Sequence, residues 1–201
     1  GPLDSLVYKE VDIPEIKNPG DILIKVFSSG VNFPDGLLVQ GKYQLKPPVP
    51  FTPGMEVSGE VFKIGSEVTE FKIGDRVAGL SQLGGYSEYN LLNKTSVYKI
   101  PIEMEHDQAC ALLCAYGTSH YALKQRANLK KGDTLVVLGA SGSTGIAAIQ
   151  IGKIMGTLSI ASFNPVRLAK GKEIYKNKFE KGKNYYFIVN TSMSKTFDLV
   201  N

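Results

Sequence analysis

Three evenly spaced glycines, Gly139-x-x-Gly142-x-x-Gly145, are the residues of this chain whose type and spacing most directly suggest chemistry. They follow an apolar run, Thr134 to Leu138, and lead without a gap into a helix-compatible apolar segment that ends near Met155-Gly156. A strand, a glycine turn and a helix in that order offer backbone N–H groups and a positive helix end to a dinucleotide pyrophosphate. Gly139 permits the tight exit from the strand, Gly142 lets backbone approach phosphate, and Gly145 lets the helix pack closely on the sheet. Ser141, Gly142, Ser143, Thr144 and Gly145 are therefore the expected cofactor-binding turn. Ser143 fits there only with a negative φ, because its Cβ is costly in the left-handed region. The competing reading is an ordinary strand-to-helix turn.

A second spacing invites a metal. His106, Cys110 and Cys114 fall at i, i+4 and i+8, on one face of a helix. Thiolate and imidazole ligands do bind zinc in such patterns, but small thiols packed in a helical core are far commoner. No metal is expected.

Around these residues the chain changes character. From about residue 20 to 100 it reads as β, with strands at Ile22–Phe27, Val57–Ile64, Arg76–Leu80 and Tyr86–Leu92. Turn signals separate them at Ser28-Ser29-Gly30, Gly65-Ser66 and Gly74-Asp75. Short strands, frequent glycine turns and no segment of helical period predict a compact, partly open barrel over roughly residues 5–107. Pro47, Pro48, Pro50 and Pro53 force an extended segment inside it. Asp107 then caps a helical stretch from Gln108 to Leu123, which should link the barrel to a parallel-sheet unit at 133–162 and line the cleft between them. Beyond Phe163, Arg167–Tyr175 reads as helix and Tyr185–Val189 as strand.

The bulk composition excludes some classes. Apolar residues make up 43% and charged residues 21% of the 201, which is globular rather than disordered. No segment approaches the ~20 apolar residues of a membrane span. The first residues lack the basic and apolar regions of a signal peptide, and Gly1-Pro2 reads as a protease scar. Two cysteines on one helix fit a reducing, cytosolic compartment. Residues 164–201 carry 8 Lys/Arg against 3 Asp/Glu, a net +5. Without a nucleic-acid motif this tail reads as a solvated basic face, and no nucleic-acid partner is expected.

Four passages carry a family resemblance: Gly30-Val-Asn-Phe-Pro-Asp with Gly41 to Glu56, Gly74-Asp-Arg-Val, Gly84-Gly-Tyr-Ser-Glu-Tyr, and Gly139 to Gly145 with its helix. In this order, over residues 20–156, the chain resembles the medium-chain dehydrogenase/reductase superfamily, and within it the zinc-independent, zeta-crystallin-like NADPH:quinone oxidoreductases. The resemblance implies an α/β plus β fold. A GroES-like β-barrel catalytic domain would occupy 1–107, a shortened or incomplete Rossmann-type nucleotide-binding domain 108–163, and a late return segment 164–201. It implies hydride transfer from NADPH to a quinone or similar electron-poor acceptor, in a cytoplasmic homodimer. Asn32 would lie beside the nicotinamide ribose and the substrate, Tyr43 would offer a hydroxyl near the substrate oxygen, and Asp35 would orient that loop. Thr118 matches a position facing the cofactor; its structural alternative is a buried threonine bonded to backbone. His120 reads as packing on an apolar helix. Zinc relatives in the superfamily use a Cys after the first strands and a His in Gly-His-Glu. The matching positions here, Asn32 or its neighbours and Met55, supply neither ligand.

The chain is short for this family. Asn164-Pro-Val-Arg-Leu-Ala-Lys-Gly and Thr191 to Asn201 resemble late stretches of the family, so the middle of the nucleotide domain is missing, and with it the residue that tells NADP from NAD. A natural short form, an engineered deletion, or stretches joined across absent ones would each explain this. The last predicts at least one gap in the Cα trace near 156–164 or 176–192. Unbroken spacing with Tyr185–Val189 paired into the sheet would mean a compact variant. Two other readings stand beside the quinone reductase: an enal or enoyl-thioester double-bond reductase, and an inactive relative that binds without turnover.

Overall fold

The computed structural model describes residues 1–162 and 185–189 and divides the chain into two units, Gly1–Cys114 and Ala115–Asn201. The first is built on a five-stranded antiparallel sheet of β1 (Asp21–Ser29), β2 (Glu56–Ile64), β3 (Arg76–Leu80), β4 (Tyr89–Asn93) and β5 (Val97–Lys99), in the order β4-β1-β2-β3-β5. β-branched and aliphatic residues on these strands, Ile22, Ile24, Val57, Val61, Val77, Leu92 and Val97, close over one core with Val68 and Phe71. The register of β1 on β2 shifts between Leu23 and Ile24 and again between Val26 and Ser28. A Cβ on Gly59 would run into the Lys25 carbonyl, so the strands close at this irregular register only around glycine.

The sequence reading misses a helix in this region, α1 (Phe33–Val39). Its seven residues are too few to show a helical period. Its signals lie at the ends. Asn32 is the N-cap, Pro34 sits in the first turn, and the Asp35 carboxylate accepts from Asn32 N–H at 2.7 Å. Gly41, at φ +68°, ends it, with Lys42 N–H on Leu37 C=O and Gly41 N–H on Leu38 C=O.

Other boundaries move as well. The sheet starts at Asp21; residues 6–17, expected in the barrel, have no regular structure, and Val7, Tyr8 and Val11 are exposed. β4 begins at Tyr89 rather than Tyr86: residues 86–88 bend, with the one Ser87 hydroxyl proton shared between the Gly84 and Tyr89 carbonyls (2.6 and 2.7 Å). The long helix α2 (His106–His120) begins one residue before Asp107, which therefore lies in its first turn and does not cap it. Arg76 fixes the lead-in, donating to the carbonyls of Pro101, Ile102 and Met104 at 2.9, 2.8 and 2.6 Å. A π-helical turn follows α2 over Tyr121–Arg126.

In the second unit β6 (Thr134–Leu138) lies between β7 (Leu158–Ser162) and β8 (Tyr185–Val189), all parallel. Thr134 to Val137 are all buried, the unbroken apolar pattern of a central parallel strand. Helix α3 (Ser143–Ile154) packs Ala148 and Ile151 against Leu135, Val137, Leu123 and Leu129. β8 pairs Thr134 with Tyr185 through Leu138 with Val189, so β6 is paired on both sides. Of the stretches 156–164 and 176–192 where gaps in the trace are expected, residues 163–164, 176–184 and 190–192 fall outside the described residues, as do the helix expected at 167–175 and, β8 apart, the return segment.

Candidate functional site

The first constellation grows from the β1–α1 junction. Two buried carboxylates converge on Asn32. Asp35 Oδ2 accepts from Asn32 N–H (2.7 Å) and from the Tyr86 hydroxyl (2.9 Å). Glu56, at the start of β2, accepts from Asn32 Nδ2 with Oε1 (2.7 Å) and from the Cys114 backbone N–H with Oε2 (2.8 Å). Asp35 and Glu56 are only 3% and 4% exposed, so both depend on these bonds in place of water. Asp35 Oδ1 is buried without a hydrogen-bond partner among the described residues. A side chain on Gly30 would overlap the Glu56 carboxyl, which explains a glycine at the strand exit. Burial, then the Asp35 hydrogen bond and the charges of Asp35 and Glu56, push the Tyr86 phenol far above its ordinary range and keep it a neutral donor.

Asn32 and Asp35 are thus brought together. Tyr43 is half-buried in the loop after α1, with no hydrogen bond joining its hydroxyl to either of them. Tyr86 and Glu56 are the residues that sequence reasoning missed. A signal was present in Glu56, an acid at the head of the apolar strand Glu-Val-Ser-Gly-Glu-Val, where a carboxylate needs a buried donor.

His106 bonds Ser58, whereas Cys110 and Cys114 both bond Glu56. His106 Nδ1 lies 2.8 Å from Ser58 Oγ, whose own proton goes to the Val77 carbonyl at 2.9 Å, so Nδ1 carries the hydrogen. Burial, and then the nearby Arg76 charge, lower the His106 pKa. Cys110 Sγ donates to the Glu56 carbonyl at 3.4 Å. Burial and then the Glu56 carboxylate push this thiol from 9.0 to about 11, and the same two causes, with Asp35, raise Cys114. Among the described residues no three His, Cys, Asp or Glu side chains are grouped to hold a metal.

A consequence for Cys110 is measurable. As pH rises from 9 to 11 an unfolded chain releases this proton while the folded one keeps it, so folding loses stability across that window. Iodoacetamide at pH 8 should alkylate folded Cys110 about a hundredfold more slowly than the denatured chain, as read by mass spectrometry. Equal rates would mean that the thiol does not lie against Glu56.

The second constellation is the glycine turn. Gly139 has φ +75°, the left-handed conformation its position demands. Gly142 caps α3 at φ −79°, ψ 160°, and donates to Gly139 C=O. The first helical bond runs from Ile146 N–H to Gly142 C=O, so the N–H groups of Ser143, Thr144 and Gly145 precede it at the positive helix end. A Cβ on Gly145 would overlap the Gly139 carbonyl and come within 2.8 Å of Ala140 Cα, so helix and turn meet only because it is glycine. Ser143 keeps a φ outside the positive range, as its side chain requires. Ser141 and Ser143 are exposed.

Exposure decides two readings of α2. Thr118 is exposed, which removes the alternative of a buried, backbone-bonded threonine; the buried hydroxyl is that of Ser119, which is 0% exposed and donates to Thr144 C=O at 2.9 Å. His120 is exposed rather than packed. Adjacent helical residues point about 100° apart, and α2 has no strong apolar stripe to orient it.

Known proteins resemble this chain in sequence and fold. Residues 18–102 match the alcohol dehydrogenase GroES-like domain. A quinone oxidoreductase-like protein 2 homolog of Nematostella vectensis is 39% identical over 84% of this chain and 47% of its own length. The quinone oxidoreductase of Pseudomonas syringae superposes with a TM-score of 0.74 at 32% identity, over 85% of this chain and 53% of that one. The Escherichia coli quinone oxidoreductase, solved in complex with NADPH, gives 0.67 at 28% identity, over 78% of this chain and 47% of that one. The chain thus spans about half the length of the relatives it matches. With the GroES-like match on the first unit and the glycine turn on the second, the chain is similar to the quinone oxidoreductases over about half of their length.

Proposed function

We propose that the protein to which this chain belongs reduces quinones, or similarly electron-poor acceptors, with NADPH. The observation that carries this reading is the α3 N-terminus, whose N–H groups at Ser143, Thr144 and Gly145 stand behind a turn that only glycine permits at 139 and 145. That cradle fits a pyrophosphate. Bound NADPH supplies the hydride; the chain's own residues bind and orient. Ser141 to Gly145 would hold the pyrophosphate, and Thr118, exposed on α2, would face the cofactor. Asn32 would lie beside the ribose and the substrate, fixed by Asp35. A quinone oxygen only accepts hydrogen bonds, and the Tyr43 hydroxyl would be its donor.

The reaction is proposed to proceed without zinc, which is supported by Asn32 or its neighbours and Met55 at the positions where zinc relatives place ligands. Dialysis against a strong chelator should leave turnover and melting temperature unchanged; loss of either, restored by added zinc, would contradict this. A cytosolic homodimer is the assembly we infer, supported by the likeness to quinone oxidoreductases and, for the compartment, by two free cysteines. No helix among the described residues is long and apolar enough to cross a membrane. Steady-state assay of a panel of quinones and enals with NADPH and NADH tests the substrate class. Turnover of enals alone would overturn the quinone reading.

A further inference from the structure

We infer that Glu56 sets which end of the Asn32 amide faces a ligand, so that Asn32 acts as an acceptor and takes a group carrying O–H or N–H. The inference rests on the proposal that Asn32 touches a ligand, and adds the polarity of that contact. The Cys114 backbone N–H can only donate, and it holds Glu56 Oε2 at 2.8 Å. The carboxylate's other oxygen, Oε1, can only accept, so the atom 2.7 Å away on Asn32 has to be the NH₂ nitrogen. A flipped amide would set two acceptors against each other. The Asn32 carbonyl Oδ1 is therefore the end turned from Glu56. It faces the Asp35 backbone N–H in the α1 capping box, one bond that would leave its second lone pair to a ligand, and it is not among the buried atoms left unpaired. Asp35, steadied by Tyr86, pins the Asn32 backbone from the other side. Glu56 is in this sense a positioning residue, acting through Asn32.

Glutamine at 56 should reverse the polarity. Its amide oxygen must serve the Cys114 N–H, so its NH₂ faces residue 32 and obliges Asn32 to flip and present a donor. In the swapped pair Asn32→Asp with Glu56→Gln, the glutamine NH₂ meets a carboxylate and an acceptor oxygen again faces outward. NADPH fluorescence titration of the full-length protein tests this. Asn32→Ala and Glu56→Gln should each weaken NADPH binding about tenfold, the scale of one lost hydrogen bond. Glu56→Gln should add less than about twofold in the Asn32→Ala background, because its effect passes through Asn32. The swapped pair should return to within about threefold of wild type. Unchanged affinity in Glu56→Gln, or the same loss in both backgrounds, would overturn the inference. Should Glu56→Gln alone fail to fold, the swapped pair, which satisfies every donor, decides: near-wild-type affinity supports the inference and a tenfold loss overturns it. Unchanged affinity in Asn32→Ala would instead refute Asn32 as a ligand contact.

Discussion

Valine in place of Gly145 should destabilise the second unit by about 3 kcal/mol and abolish NADPH binding. The added Cβ overlaps the Gly139 carbonyl oxygen and approaches Ala140 Cα, both backbone atoms that cannot swing aside as a side-chain end could. Relief requires α3 to lift from the turn, which opens the contacts of Ala148 and Ile151 with Leu135 and Val137. The same movement pulls the N–H groups of Ser143 and Thr144 out of line with a phosphate. The chain has no tryptophan, so denaturation followed by far-UV circular dichroism is the suitable measurement. Wild-type stability in Gly145→Val would mean that the turn and helix are not in contact.

Asp35→Ala should be the costliest change in the first unit outside its apolar core, at about 3 kcal/mol. It strands the Tyr86 hydroxyl and the Asn32 N–H, and removes the carboxylate half of the α1 cap. Asp35→Asn should cost far less, since one amide oxygen can still accept both bonds. Equal losses in the two variants would show that charge, rather than acceptor geometry, holds the loop. Tyr86→Phe should fall between them.

How far these residues could be read from sequence depends on the range of the forces that place them. β2, β3 and β6 were legible because their β-branched runs fit a half-buried or buried strand locally. The positive φ of Gly139 and the close approach at Gly145 follow from spacing within one turn. α1 was not legible from periodicity, because its stability lies in a cap and a glycine end rather than in an apolar stripe. The Asn32–Glu56 bond joins residues 24 apart through β1–β2 pairing, and no local pattern announces it. Which of Thr118 and Ser119 is buried was not legible, because the small, mixed residues of α2 form no strong apolar stripe to fix its orientation.

The central claim is that NADPH binds at the N-terminus of α3. Titration of NADPH fluorescence against the wild-type protein and Gly142→Val tests it most directly. Gly142 has φ −79° and ψ 160°, a conformation valine adopts readily, so the variant should fold with its barrel intact. Its branched side chain would occupy the approach to the helix end. Saturable binding in the wild type and none in Gly142→Val is the predicted result. Equal affinity in the two proteins would contradict the site.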